Sequence, residues 1–183
     1  MVLMSSPGAW AAERVQGTVE RYLLTAAGRI EGVFLVDKVA LYFPEAYGDA
    51  VAQVVVPGSL VEGESTKGDP KHKMAMRLAA LRSGKTLVVF DEGQPKIEAV
   101  PLTTIGPVSG IILKWVVNLK GEPTRAILHD DVQVIMRPVQ ARKVYERFET
   151  QSRGLLEVSG VGTRNQYGAV VEASTVAFND EDL

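Results

Sequence analysis

Apolar and polar positions alternate along this chain in a pattern that occurs twice. The segment VQGTVERYLLTAAGRIEGVFLVDKVALYFP, starting at Val15, lies without a gap over VSGIILKWVVNLKGEPTRAILHDDVQVIMR, starting at Val108. At this offset of 93 residues Gly17 falls on Gly110, Val19 on Ile112, Arg21 on Lys114 and Tyr22 on Trp115. Further along, Gly28 meets Gly121, Leu35 meets Leu128, Asp37 meets Asp130, Val39 meets Val132 and Leu41 meets Val134. One ungapped register that matches turn glycines, turn acids and alternation together marks a repeated structural unit.

The second copy reads more cleanly. Val108 to Asn118 is rich in β-formers, Leu119-Lys120-Gly121 turns, and a strand runs from about Glu122 to Leu128. His129-Asp130-Asp131 is a hairpin turn before Val132, Val134 and Met136, which alternate with Gln133 and Ile135. Pro138 suits a first helical turn, and Ala141, Val144, Tyr145 and Phe148 form a helical stripe that stops before Gly154. Leu155 to Val161 and Ala169 to Phe178 read as strands around a polar loop. Three strands, a helix and two strands is the order of an OB-fold.

The first copy begins alike, with strands near Val15–Thr25, Arg29–Val36 and Val39–Phe43 and a helix near Pro44–Val55. Residues 66–90 then read as an insertion. Within it Met74, Met76 and Leu78 alternate like a strand, Met74, Leu78 and Leu81 also fit a helix, and Ser83-Gly84 before Thr86–Phe90 favours a hairpin. Ile97-Glu98-Ala99 matches Val171-Glu172-Ala173 as a last strand. The expected fold is all-β with one helix per repeat: two tandem OB-fold-like five-stranded barrels. Residues 1–14 form a loose tail, 15–102 the first unit, 103–107 a linker, 108–178 the second unit and 179–183 an acidic tail.

Composition narrows the function. Twenty Lys and Arg against 22 Asp and Glu leave a net charge of −2, which excludes a strongly basic nucleic-acid clamp. A 46% hydrophobic content excludes a disordered chain. With no cysteine there is no disulfide, thiol nucleophile or thiolate zinc site. Met1 to Ala12 lacks the basic start of a signal peptide, and Pro107, Gly110 and Lys114 interrupt the longest apolar run, Ile105 to Leu119. A cytoplasmic protein without a membrane partner is expected.

The two copies resemble a little-characterised bacterial family of small OB-fold-like modules, often in tandem. Gly17, Val19, Gly28, Gly32, Leu35, Asp37, Val39, Phe43, Pro44, Pro57, Gly58, Gly63 and Glu98-Ala99 carry the resemblance in the first copy. Gly110, Gly121, Leu128, Asp130, Val132, Gly154, Gly160, Glu172 and Ala173 carry it in the second. The family's Asp-Gly turn is Asp37-Lys38 and Asp130-Asp131 here, and its F-P-P-H becomes Phe43-Pro44-Glu45-Ala46 and Met136-Arg137-Pro138-Val139. The family histidine is therefore missing from both copies, and no role of it carries over. The resemblance implies a tandem OB-fold with generic nucleic-acid binding.

Catalytic motifs fail on inspection. Gly58 to Ser65 has the glycine spacing of a phosphate loop, but Glu64 stands where the phosphate-binding lysine belongs. Gly160-Val161-Gly162 followed by Gly168 has the wrong spacing for a dinucleotide fingerprint. His129-Asp130-Asp131 are adjacent turn residues that do not converge on one ion, and His72 lies in a charged stretch between Lys71 and Lys73. No enzyme, metal or cofactor is expected.

Binding features are the stronger signal. Alternation turns Val39, Leu41, Phe43, Val132, Val134 and Met136 inward, leaving Phe34, Tyr42, Ile127, Ile135, Arg125 and Gln133 on the outer sheet faces. OB-folds hold oligonucleotides on this face by stacking bases on aromatics beside cations. Arg21 with Lys114 and Tyr22 with Trp115 add matched cations and aromatics, and core packing is the competing assignment for the two aromatics. The first expectation is a non-catalytic module for single-stranded DNA or RNA using Arg21, Tyr22, Phe34, Tyr42, Lys114, Trp115, Arg125 and Gln133. The alternative is a protein-interaction or assembly module, with Phe34, Tyr42, Ile127 and Ile135 covered by the other domain or another subunit.

Overall fold

A computed structural model describes residues 13–66, 74–91, 102–151 and 153–183. The first half contains β1 (Arg14–Leu24), β2 (Ile30–Leu35), β3 (Ala40–Tyr42), a 3-10 turn (Glu45–Tyr47) leading into α1 (Gly48–Ala52), β4 (Leu60–Ser65), β5 (Ala75–Ser83) and β6 (Thr86–Val89). The second contains β7 (Thr103–Val117), β8 (Pro123–Leu128), β9 (Val132–Ile135), α2 (Pro138–Gln151), β10 (Leu155–Asn165), β11 (Gly168–Phe178) and β12 (Glu181–Asp182). The sheets run β3-β2-β1-β4-β5-β6 and β10-β7-β8-β9-β11-β12, closed by β3–β5 and β10–β11 pairing. Each half is thus a closed five-stranded barrel with one short extra strand outside it. In both, the third strand meets the fifth in parallel, a connectivity compatible with an OB-like fold.

The 93-residue register holds in the backbone. Gly28 and Gly121 both have positive φ, 75° and 78°, and donate their amides to Thr25 and Asn118 in matching turns. Lys38 and Asp131, the second residues of the hairpin turns, sit at φ 66° and 65°. A Cβ on Gly17 would stand 2.7 Å from the Leu35 side chain and one on Gly110 3.1 Å from Leu128, so both glycines keep the first strand close to the second. The bulge between Val19 and Arg21 recurs between Ile112 and Lys114.

The boundaries differ from the sequence reading in several places. β1 already begins at Arg14, inside the stretch read as a loose tail, and pairs there with Glu64. Residues 66–90 do not merely decorate the barrel, because β5 is its closing strand: Leu41 pairs with Met76 and Tyr42 with Arg77, as Val134 pairs with Val171 and Ile135 with Glu172. Met76-Arg77-Leu78 therefore stands where Ile97-Glu98-Ala99 was expected, and the latter lies outside the described residues. The strand alternative for 74–82 is the one adopted, and β6 returns from it through the Gly84-Lys85 turn. Residues 103–107 are not a linker but the start of β7, pairing with β10 as far as Thr103 with Gly162. Pro107 falls where that register slips, so it removes no ladder hydrogen bond. The acidic end is partly structured: β12 pairs with β11, and Leu183 packs on the second core.

Each barrel has its own core. Val19, Val33, Leu35, Leu41, Val61 and Leu78 fill the first, and Ile112, Ala126, Leu128, Val134, Val158 and Val171 the second. No helix among the described residues is long and apolar enough to cross a membrane.

Candidate functional site

A third apolar cluster joins the barrels. Leu23, Phe34, Ala40 and Ala75 of the first pack with Val116 and Ile127 of the second. Leu23 and Val116 are equivalent in the repeat, as are Phe34 and Ile127. The same outer face of both barrels is therefore turned inward against its counterpart, in the manner of an isologous dimer interface within one chain. Phe34 and Ile127 are 0% exposed. Tyr42 packs at the edge of this cluster, and Ile135 packs against the core of the first barrel.

Polar groups pin the contact. The β1–β4 pairing ends at Thr18, leaving the later β1 edge free to meet the other barrel. Gln133, 2% exposed, donates through Nε2 to the Tyr22 carbonyl (2.8 Å) and accepts through Oε1 from the Leu24 amide (3.2 Å). It thus occupies the free β1 edge on both sides of Leu23. Arg125 donates to the same Oε1 at 2.5 Å and is ion-paired with Glu31 of the first barrel. Only 5% exposed, this guanidinium is tolerated because it is paired and hydrogen-bonded. On the opposite side the Tyr42 hydroxyl donates to the Val117 carbonyl at 3.0 Å, and Val117 is the counterpart of Leu24. Burial pushes the Tyr42 phenol up to about 12, with Arg125 opposing and Glu31 assisting.

Arg21 and Lys114 lie at the rim. Both hold Glu20, the bulge residue of β1, and Arg21 also reaches Asp131 at 3.0 Å. Burial raises the Glu20 carboxyl, but its hydrogen bonds to Lys114 and Arg21 and their charges outweigh this and leave it below the ordinary value. The two matched cations therefore neutralise a carboxylate between the barrels.

The Tyr22 and Trp115 rings each pack on their own barrel, Tyr22 also meeting Tyr167 of the second. The Tyr22 hydroxyl donates to the Val55 carbonyl at 2.5 Å, and Trp115 packs edge-on against Tyr145 and Phe148 of α2. Core packing is thus the role the fold gives both rings, through equivalent bulges that turn the residue after the cation inward. Among the described residues the buried Trp115 Nε1 has no hydrogen-bond partner.

Sequence reasoning missed the β10–β11 hairpin as a contact. Its tip reaches the first barrel: Asn165 Nδ2 donates to the Gly28 carbonyl (2.8 Å), the Tyr167 hydroxyl meets Asp49 (3.2 Å), and the Tyr167 ring stands edge-on to Tyr22. Gly162 to Gly168 reads as a polar loop and gave no sign of this reach, whereas β10 continues through it to Asn165 and β11 starts at Gly168.

Where the joined faces diverge they leave an open cleft of about 790 Å³, lined by Tyr42, Arg77, Lys120, Arg125, Glu31 and Glu172 among others. Among the described residues no group of three potential metal ligands occurs. No protein-family model matches this chain, and neither a curated protein nor a solved structure matches it.

Proposed function

We propose that this chain is a non-catalytic tandem OB-like assembly module: a fused pair of barrels that acts as one body and engages protein partners. One observation carries the reading. The outer sheet face that would stack bases in an OB-fold is occupied, in both barrels, by the other barrel. Phe34, Ile127 and Gln133 have almost no surface to offer a nucleotide, and Arg125 is committed to Glu31 and Gln133. Exposed apolar side chains remain elsewhere, at Val36, Leu60, Leu87, Val89, Ile111, Leu113 and Leu155. Leu60 and Leu155 open the equivalent fourth strands, opposite Thr18 and Ile111.

A second reading keeps single-stranded nucleic acid as the ligand and moves it into the cleft, where Tyr42 lies beside Arg77 and Lys120. Glu31, Asp91 and Glu172 line the same cleft and oppose a phosphate chain. Sedimentation of the protein alone, alongside anisotropy of labelled DNA and RNA strands at low and high salt, separates the readings. Association of the protein without oligonucleotide binding supports the assembly module. Micromolar oligonucleotide binding that weakens with salt, with no protein association, replaces it by the second.

A further inference from the structure

The edge strand β6 is complementary to itself. It pairs with β5 on one side, Ala80 with Val89 through Ser83 with Thr86, and among the described residues no strand pairs with its other side. The Phe90 amide donates to the Ala79 carbonyl at 2.8 Å. In an antiparallel ladder this parity turns the backbone groups of Thr86, Val88 and Phe90 toward β5 and those of Leu87 and Val89 outward. Side chains alternate as well: Phe90 stacks on Phe43, while Leu87 and Val89 stand in solvent, 48% and 53% exposed.

The sequence around this edge is Lys85-Thr86-Leu87-Val88-Val89-Phe90-Asp91. When it meets a second copy antiparallel about a two-fold axis through Val88, Leu87 faces Val89 of the other copy. Both belong to the outward-bonding parity, so each such pair exchanges two backbone hydrogen bonds. Beyond the strand's two ends the flanking charges, Lys85 in the turn and Asp91 with its amide held by the Tyr47 hydroxyl, then lie opposite one another across the two copies. A lone exposed edge is ordinarily guarded by charge. Here the guards have opposite sign at positions equidistant from Val88, so they repel most foreign registers and attract this one.

We infer that β6 is a self-association edge, through which two copies of the chain join antiparallel in the register that pairs Leu87 with Val89 and sets Lys85 opposite Asp91. This rests on the assembly reading and names its partner as a second copy. The contact uses one short strand per copy, so a weak dimer is expected, in the micromolar range or above.

The test is a charge swap followed by sedimentation over a concentration series. Lys85→Asp places like charges opposite each other at both ends and should weaken dimerisation about tenfold. Lys85→Asp with Asp91→Lys restores opposite charges and should restore the dimer. Val89→Lys, at an exposed side chain, should abolish it while leaving the far-ultraviolet spectrum unchanged. Hydrogen exchange gives an independent readout: the Leu87 and Val89 amides gain protection as concentration rises, whereas Val88 and Phe90 are protected throughout. A chain that stays monomeric at millimolar concentration overturns the proposal, as does a double swap that fails to rescue. Association indifferent to all three variants overturns the β6 edge but leaves the assembly module standing. Absence of any association together with oligonucleotide binding removes both.

Discussion

Replacing Gln133 by leucine tests whether the two barrels are held by specific hydrogen bonds or only by apolar contact. The volume changes little, so the cost comes from the partners left behind. The Leu24 amide, the Tyr22 carbonyl and one Arg125 N–H each lose the group they now bond. A buried donor or acceptor without a partner costs about 1–3 kcal/mol, and more when it is charged. The leucine recovers part of this, because no side-chain amide has to be desolvated. The net expected loss is about 3–4 kcal/mol. Gln133→Glu keeps the acceptor for Leu24 and Arg125 but turns an anionic oxygen toward the Tyr22 carbonyl in a buried joint, so a loss of about 2–3 kcal/mol is expected.

Urea unfolding followed by tryptophan fluorescence and circular dichroism measures both variants. Because each barrel has its own core, weakening the joint should also broaden the leucine variant's transition as the barrels begin to unfold separately. A Gln133→Leu protein within about 0.5 kcal/mol of the parent, with an unchanged slope, refutes the role given to this side chain.

Tyr42→Phe should cost about 1 kcal/mol by removing the bond to Val117. The phenol titrates near 12, so its contribution is intact below its ordinary value near 10 and is lost as pH rises through about 12; the variant should be less sensitive than the parent to alkali over that interval in pH-stepped urea melts. Glu20 is shifted downward, so its stabilisation is present above the ordinary carboxylate value and is lost as pH falls through its lowered value; Glu20→Gln should flatten the acid limb of the stability profile. Trp115→Phe keeps the apolar contact with Tyr145 and Phe148 while removing a buried N–H without a partner among the described residues, so thermal melts should place it within about 1 kcal/mol of the parent, whereas Trp115→Ala should cost about 3 or more.

Local pattern carried the barrels because strand facing and turn geometry are written in nearby residues. Val39, Leu41 and Phe43 alternate inward, Gly28 and Gly121 occupy the left-handed turn position, and the repeat doubled every such signal. The same alternation placed Phe34, Tyr42, Ile127 and Ile135 on the outer faces. What local pattern cannot contain is the surface those faces meet, since an apolar outer position reads alike whether a base, another subunit or the neighbouring barrel covers it. The misplaced fifth strand has a different cause. Residues 66–90 read as an insertion because Ile97-Glu98-Ala99 matches Val171-Glu172-Ala173, although the pairing of Leu41 with Met76 is set by closure of the barrel rather than by similarity of the closing strand.

The repeat also explains why the two halves suit each other better than themselves. Two copies of the same face could pack Leu23 or Val116 and Phe34 or Ile127 symmetrically. The polar positions break that symmetry: Gln133 stands where the first barrel has Ala40, Arg125 where it has Gly32, and Tyr42 where the second barrel has Ile135. A first barrel facing its own copy would have no side chain at Ala40 able to bond the β1 edge beside Leu23, and no partner for Glu31 at Gly32. A second barrel facing its copy would bring Arg125 into a buried joint without Glu31, leaving a charge that costs several kcal/mol. The apolar cluster supplies the attraction, and the buried polar set determines that it is made between unlike halves. Further copies must then join through surface outside this joint, such as the β6 edge.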